Sequence, residues 1–498
     1  PEAITLPEHR QQILQLSVTE NRYAAICSTA DIPDIRLMGR APTAHAPIRE
    51  GDAMNLHRLL KQRQADNKPL RVALIGAGKF GSMFLSQARR TPGIQLVAVA
   101  DLQPSRARAA LTRVGWPPDA LHADSLPDAA RSRRVYFSDD ALEVIASPEI
   151  QIVIDATGHA AGGIAHVLAC CEHGKHIIMV NVEADALAGP LLARRAREAG
   201  IVYSLAYGDQ PALICDMVDW ARASGFEVIA AGKGTKYLPE FHTSTPDTVW
   251  PYYGFTDEMV AAGDFNAQMF NSFLDGTKSA IEMAAVSNAT GLLPAPSGLH
   301  FPPCGVDDLP RVLRPREEGG MLHHRGQVEV ISSLERDGRP VFRDLRWGVY
   351  VTLAADSDYV RRCFKEYGLL TDPSGNYAAM YKPYHLIGLE LGISVASVGL
   401  RHEPTGSPTG WHGDVVATAK RDLAVGQELD GEGGYTVYGR LMPARDSVAD
   451  GYLPLGLAHK VKLKNPVRQS QPIRWHDVEF DEKSAAVQFR REMEQTFA

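Results

Sequence analysis

The stretch RVALIGAGKFGSMFLSQARRT, residues 71–91, decides the fold. An apolar run enters a Gly-x-Gly-x-x-Gly turn, Gly76-Ala77-Gly78-Lys79-Phe80-Gly81, and leaves it as an amphipathic segment. A strand opening through such a turn into a helix is the signature of a dinucleotide-binding unit. The first glycine permits the tight turn, the second lets backbone approach a pyrophosphate, and the third lets helix and strand pack closely. Free N–H groups at the helix start then favour the anion. The next apolar run, IQLVAVAD, ends in Asp101, 20 positions beyond Gly81. A carboxylate there accepts hydrogen bonds from ribose hydroxyls and favours NAD, while the nearby Arg106 and Arg108 suit the 2′-phosphate of NADP. The choice between NADP and NAD stays open at this point.

Working outward, QIVIDATG, KHIIMVN and IVYSLAYG read as further buried strands, separated by helical segments. Apolar strands alternating with helices predict an α/β fold with a parallel, doubly wound Rossmann sheet covered on both faces. The expected organisation has four parts. Residues 1–53 form an N-terminal arm or extension, and 54–210 the dinucleotide-binding domain. Residues 211–404 form a mixed α/β catalytic domain, and 405–498 a small β-rich domain. Ligands bind outside the carboxyl ends of strands in such sheets. Thr157, Gly158, Asn181 and Glu183 therefore join Gly76, Gly78, Lys79, Phe80, Gly81 and Asp101 as cofactor-binding candidates. The alternative for Thr157, Gly158, Asn181 and Glu183 is that they only cap helices and turns.

Bulk properties narrow the partners. The net charge of −7 gives no electrostatic case for nucleic acid or an anionic membrane surface. No run of about 18 apolar residues suggests a membrane span, and the first residues lack the basic-then-apolar pattern of a secretory leader. The six cysteines form no CxxC pair and no zinc-ligand spacing, which fits reduced thiols in a cytoplasmic setting. The expected partner is an anionic small molecule.

Catalytic candidates lie downstream. MFNSFLDGTKSAIEMAAVSNATG, residues 269–291, reads as one helix with Asp275, Lys278 and Glu282 on one face. A lysine flanked by carboxylates in an apolar helix suits proton donation to a carbonyl oxygen during hydride transfer. Lys233, Gly234, Thr235 and Lys236 read as a cationic loop that holds a substrate phosphate or carboxylate. The bland alternatives are exposed salt bridges on the helix and solvated lysines on the loop.

The order GAGKFG, DATG, MVNVEAD, AAGKGTKYLP and LDGTKSAIEMA is similar to that of homoserine dehydrogenase. By that likeness Lys278 stands at the catalytic lysine, with Asp275 near it. Asn181 matches the asparagine of an Ala-Asn-Lys segment in which Val182 replaces the lysine. Gly234-Thr235 matches a substrate-loop Gly-Thr, with Lys233 and Lys236 replacing neutral neighbours; the added lysines suit a more anionic substrate. The C-terminal VVATAKRDLAVGQELDGEGGYTVYGRL through QPIRWHDV resembles the SAF domain. The pairing resembles the deoxyxylulose-phosphate reductoisomerase-like (DRL) enzymes. That resemblance implies isomerisation and NADPH-dependent reduction of 1-deoxy-D-xylulose 5-phosphate in isoprenoid biosynthesis. It also implies a divalent metal (Mg or Mn), with Glu183, Asp209, Asp275 and Glu282 as carboxylates to test, and a homodimer or higher homo-oligomer. No spacing selects metal ligands. Two other readings remain: a dehydrogenase of a non-phosphorylated hydroxy acid, amino acid or polyol, and a nucleotide-binding regulator without catalysis.

Overall fold

Six short apolar runs pair side by side in the computed structural model, which describes residues 56–262 and 265–497. They are β1 (Leu70–Ile75), β2 (Ile94–Ala100), β3 (Tyr136–Ser138), β4 (Ile152–Asp155), β5 (His176–Met179) and β6 (Tyr203–Leu205). All pair in parallel, in the order β3-β2-β1-β4-β5-β6. Val72, Leu74, Val97, Val99, Val153 and Ile177 are wholly buried, as strands covered on both faces require. The order reverses between β1 and β4, which opens the ligand crevice above their carboxyl ends. The expected N-terminal arm lies outside the described residues.

A second sheet holds β7 (Glu227–Thr235), β8 (Gln327–Ser332), β9 (Val349–Ala354) and β10 (Tyr377–Lys382) in the order β10-β9-β7-β8. Only the β7–β8 pair is parallel. The expected loop at Lys233-Gly234-Thr235 is the end of β7. Its glycines are required by crowding. A Cβ on Gly232 would lie 1.7 Å from the Glu329 carbonyl oxygen, and one on Gly234 1.9 Å from that of Leu345.

The single helix expected over 269–291 is two, Ala267–Leu274 and Thr277–Thr290, broken at Asp275-Gly276 where Gly276 takes φ +91°. The second is buried from Ser279 through Asn288. It packs against helices Val182–Glu198 and Gln210–Ala223 and against the C-terminal strands. Those strands are the antiparallel pair β11 (Gly413–Ala419) and β13 (Val437–Pro443). Beside them lies a three-stranded sheet of β12 (Glu428–Asp430), β14 (His459–Leu463) and β15 (Val478–Glu479). The C-terminal stretch is thus β-rich, but its core is not its own. Val415, Leu441 and Trp475 share one apolar cluster with Val182, Ile281 and Val330.

Two helices return to the first sheet after long excursions. Helix Gly392–Arg401 covers β1 and β4, with Gly399 so close that a Cβ would touch Leu70 and Ile152. The last helix, Ala485–Phe497, covers the other face through Ala486, Phe489 and Met493. Its Arg490 holds Asp414 of β11 bidentately at 2.7 and 2.9 Å, both side chains fully buried. Among the described residues no helix is long and apolar enough to cross a membrane, and the five described cysteines are free.

Arg490→Met leaves Asp414 buried without its cation. The expected loss is about 3–5 kcal/mol of stability. Adding Asp414→Leu should recover most of it in urea unfolding. Equal stability of the single and double variants would contradict the reading of this pair as mutually compensating.

Candidate active site

The glycine turn has the geometry its spacing predicts. Gly76 sits at φ +90°, and a Cβ there would lie 2.9 Å from the Ala156 carbonyl oxygen. A Cβ on Gly81 would lie 2.3 Å from the Gly76 carbonyl oxygen, so only glycine allows helix Lys79–Ala88 so near β1. Around Gly78 nothing among the described residues lies within 4 Å of the missing Cβ. That is the open space a pyrophosphate needs, next to the N–H groups that a helix start leaves without intrahelical partners, around Lys79 and Phe80. Asp101 is tied to the turn: Oδ2 accepts the Ala77 N–H at 2.9 Å and Oδ1 that of Gln103 at 3.0 Å. Arg108 is spent on the Leu121 carbonyl, His122 and the Phe137 ring, while Arg106 is exposed.

At the ends of β4 and β5 a polar clamp closes the crevice floor. Asp155, fully buried, accepts the Thr157 N–H at 2.9 Å and its hydroxyl at 2.7 Å through Oδ1. His166 lies 3.0 Å from Oδ2. Asn181, also fully buried, donates to Thr157 Oγ1 and the His159 carbonyl at 3.0 Å and accepts the Ala184 N–H at 3.1 Å. Thr157 and Asn181 therefore act as a brace between strand ends and as a helix cap.

Glu183 does reach the site. Its Oε1 accepts from Lys278 Nζ at 2.6 Å, joining segments 95 residues apart. Gly158 lies beside it, its missing Cβ 4.0 Å from Glu183 Oε2. One helical turn beyond Lys278, Glu282 is ion-paired with Lys233 of β7, both buried. Asp209, at the start of helix Gln210–Ala223, completes the group. Its Oδ1 accepts the Gln210 N–H at 2.9 Å, and its buried Oδ2 has no hydrogen-bond partner among the described residues. Burial, then the charge of Glu282, pushes its carboxyl up to about 7, against the opposing pull of Lys278 and Lys233. Burial alone would drag the Lys278 ammonium down. The carboxyls of Glu183, Glu432, Glu282 and Asp209 more than reverse this and hold it firmly charged.

Other candidates sit elsewhere. Asp275 lies before the helix, not on it. Its carboxylate accepts the Thr277 N–H at 2.9 Å and pairs with buried Lys420 at 2.8 Å, so it anchors the helix start to the C-terminal strands. His242 closes the same corner, donating from Nδ1 to the Asp275 carbonyl at 2.7 Å. Lys236 does not join Lys278. Its ammonium donates to the Tyr252 carbonyl and faces the Tyr253 ring, beside Arg346, and burial and then Arg346 pull it down. Gly234 and Thr235 are strand residues paired with Ile331 and Ser332. Glu432, absent from the sequence-based candidates, enters from the C-terminal strands; its only sequence signal is a lone carboxylate among glycines in Gly431-Glu432-Gly433-Gly434.

A metal fits this donor set poorly. Glu183 and Glu282 are each taken by an ammonium and Asp275 by Lys420. Among the described residues no three His, Cys, Asp or Glu side chains converge to hold an ion.

A parallel sheet with this glycine turn, and a buried lysine at its crevice, define a nicotinamide-nucleotide-dependent oxidoreductase. Residues 70–179 match the family described as oxidoreductase with an NAD-binding Rossmann fold (GFO/IDH/MocA). Residues 208–391 match the family described as the catalytic domain of oxidoreductase DRL. Among curated proteins, 1-deoxy-D-xylulose 5-phosphate reductoisomerase of Xanthomonas campestris is 29% identical over 26% of this chain and 36% of its own. The Pseudomonas paraeruginosa enzyme of that name is 30% identical over 27% and 37%. The chain thus spans little more than a third of these relatives. Solved structures that match part of the chain include an NAD binding oxidoreductase from Klebsiella pneumoniae. It is 15% identical, with a TM-score of 0.31 over 64% of this chain and 67% of that one. Another is a putative NADPH-dependent oxidoreductase from Desulfitobacterium hafniense. It is 11% identical, with a TM-score of 0.35 over 68% and 89%.

Two substitutions test the crevice. Gly78→Ala meets no protein atom, so it should fold normally and weaken nucleotide binding at least tenfold by calorimetry; unchanged affinity would place the pyrophosphate elsewhere. Asp101→Asn removes a carboxylate that repels a 2′-phosphate. The kcat/KM ratio for NADPH over NADH should rise about tenfold, equivalent to about 1.4 kcal/mol; an unchanged ratio would separate Asp101 from the ribose.

Proposed function

We propose that this enzyme reduces the carbonyl of a phosphorylated, sugar-like substrate, with 1-deoxy-D-xylulose 5-phosphate the first to test. The observation that carries this reading is the Lys278 ammonium seated against Glu183 beside Gly158, at the carboxyl end of the parallel sheet. A nicotinamide nucleotide in the crevice supplies the hydride. Lys278 stabilises the charge growing on the carbonyl oxygen and gives it a proton. Glu183 pairs with this lysine directly, and Glu282, one helical turn further along, is compensated by Lys233. Lys236 and Arg346, both over the Tyr253 ring, offer positive charge for a substrate phosphate. The names of the partial relatives supply the substrate class.

The test is a panel of phosphorylated and non-phosphorylated carbonyl substrates, read by nicotinamide absorbance with NADPH and NADH, with and without Mg²⁺, and by product analysis. The expected result is nucleotide-dependent reduction of a phosphorylated substrate such as 1-deoxy-D-xylulose 5-phosphate; a rearranged carbon skeleton in the product would mark a reductoisomerase and an unrearranged one a simple reductase. Turnover confined to non-phosphorylated hydroxy acids or polyols, with simple oxidation, would overturn it. Lys278→Met should lower kcat by about 10²–10⁴ while nucleotide affinity stays within a small factor. Unimpaired turnover would remove Lys278 from the chemistry.

A further inference from the structure

The turn that leads into β9, Arg346-Trp347-Gly348, is fastened to two residues that neighbour the charged cluster in the chain. Its Gly348 carbonyl accepts the N–H of Gly234, next to Lys233, at 3.1 Å and the side chain of Gln210, next to Asp209, at 3.3 Å. On this turn Arg346 lies over the Tyr253 ring, which Lys236 shares, and among the described residues neither cation is ion-paired. One residue further, the Trp347 carbonyl accepts from His385 Nδ1 at 2.7 Å. Consecutive Cα atoms are about 3.8 Å apart, so the two cations and the His385 ring are anchored within the span of one small sugar phosphate. His385 belongs to a strap, residues 383–391, that joins β10 to helix Gly392–Arg401. Two glycines with positive φ pin this strap. A Cβ on Gly208, next to Asp209, would lie 2.9 Å from the Leu386 carbonyl oxygen, and one on Gly388 2.8 Å from that of Phe80 in the nucleotide turn. His385 is therefore held between the nucleotide turn, the end of β7 and the helix start at Gln210.

We propose that His385 is a specificity-determining residue whose Nε2 accepts a hydrogen bond from a hydroxyl of the substrate, while Lys236 and Arg346 hold its phosphate. This rests on the function proposed above and adds to it a required hydroxyl. A carbonyl oxygen can only accept, so the bond to Trp347 fixes the hydrogen on Nδ1. The neutral ring then carries a lone pair on Nε2, which has no hydrogen-bond partner among the described residues. A lone acceptor beside two cations selects a ligand with an anionic group at one end and a hydroxyl donor a few bonds away. A ligand without that hydroxyl would leave the acceptor unpaired, which is how such sites reject deoxy analogues. The surroundings keep the ring neutral. Burial holds it below the usual histidine range, against the pull of the Trp347 carbonyl, of Glu282 from helix Thr277–Thr290 and of Glu390 in the strap, with Lys233 of β7 adding to the effect of burial. Protonation at lower pH turns Nε2 into a donor and removes the acceptor.

The experiment compares wild type, His385→Asn and His385→Gln as the full chain, on 1-deoxy-D-xylulose 5-phosphate and on its forms lacking the C3 or the C4 hydroxyl. The asparagine amide can replace the Nδ1 donor to Trp347 but offers nothing at the reach of Nε2; the glutamine carbonyl reaches that point. Wild type should prefer the full substrate over one deoxy form by about 10-fold or more in kcat/KM. His385→Asn should lose that preference through KM, with nucleotide affinity within about threefold of wild type, and His385→Gln should recover part of it. The wild-type preference should also fade as pH drops below the usual histidine range, and this fading should be absent from His385→Asn. A preference kept by His385→Asn, or lost only in His385→Gln, would reduce His385 to a brace for Trp347 and overturn the proposal. Nitrogen NMR of the resting protein needs no turnover: the signals absent from His385→Asn should be those of a neutral ring protonated on Nδ1, and an Nε2–H ring or an imidazolium at neutral pH overturns it. If another carbonyl compound proves to be the substrate, the function proposed above fails, and the same three proteins are compared on that compound and its deoxy forms.

Discussion

Helix Thr277–Thr290 is surrounded by protein, yet it carries a lysine and a glutamate. A charge removed from water must find an opposite charge or be neutralised, and the arrangement of the neighbouring elements follows from that demand. Lys278 requires Glu183, which fixes the helix against the Rossmann unit. Glu282 requires Lys233, which fixes it against β7. Asp275, just before it, requires Lys420, which fixes it against the C-terminal strands. The helix ends repeat the pattern in neutral form: Thr277 Oγ1 accepts the Gly439 N–H at 2.8 Å, and Asn288 Oδ1 accepts those of His412 and Gly413 at 2.7 and 2.9 Å. One helix thereby sets the relative positions of three structural units and brings the charges of each to one place.

The nucleotide crevice was largely legible in the sequence because its determinants are local. Three glycines at fixed spacing, an apolar run before them and Asp101 after the next run are read within some thirty residues, and each has the conformation that spacing implies. The α/β class followed for the same reason, since buried parallel strands announce themselves as short continuous apolar runs. Lys278 and Glu282 were also legible, because helical spacing places residues four apart on one face. Asp275 was misplaced on that face because Gly276, an interior glycine in an apparently continuous pattern, in fact ends one helix and begins another.

What the sequence hid is non-local. Nothing near Glu282 indicates Lys233, and nothing near Asp275 indicates Lys420. The Gly-Lys-Gly-Thr segment imitates a binding loop, but its glycines answer to neighbouring backbone in a crowded sheet. Asn181 is a cofactor-binding candidate by its place at a strand end, and the clamp it forms with Asp155 and Thr157 involves a carboxylate that the sequence presents only as part of a strand. Glu432 sits in a glycine-rich turn that composition assigns to a separate β-rich region, and only the shared core shows that this region closes on the site.

The return of helix Gly392–Arg401 to the first sheet has a consequence for how the chain is made. β1 precedes the whole second sheet in the chain, but the helix that shields its face is synthesised only after that sheet. The nucleotide-binding unit therefore cannot finish folding during its own synthesis. Its apolar strands wait, partly uncovered, while a long intervening segment is produced, the circumstance in which slow non-local pairing leaves intermediates open to aggregation. A fragment cut at the apparent end of the Rossmann sequence would keep the glycine turn and all six strands and still lack one wall of its core.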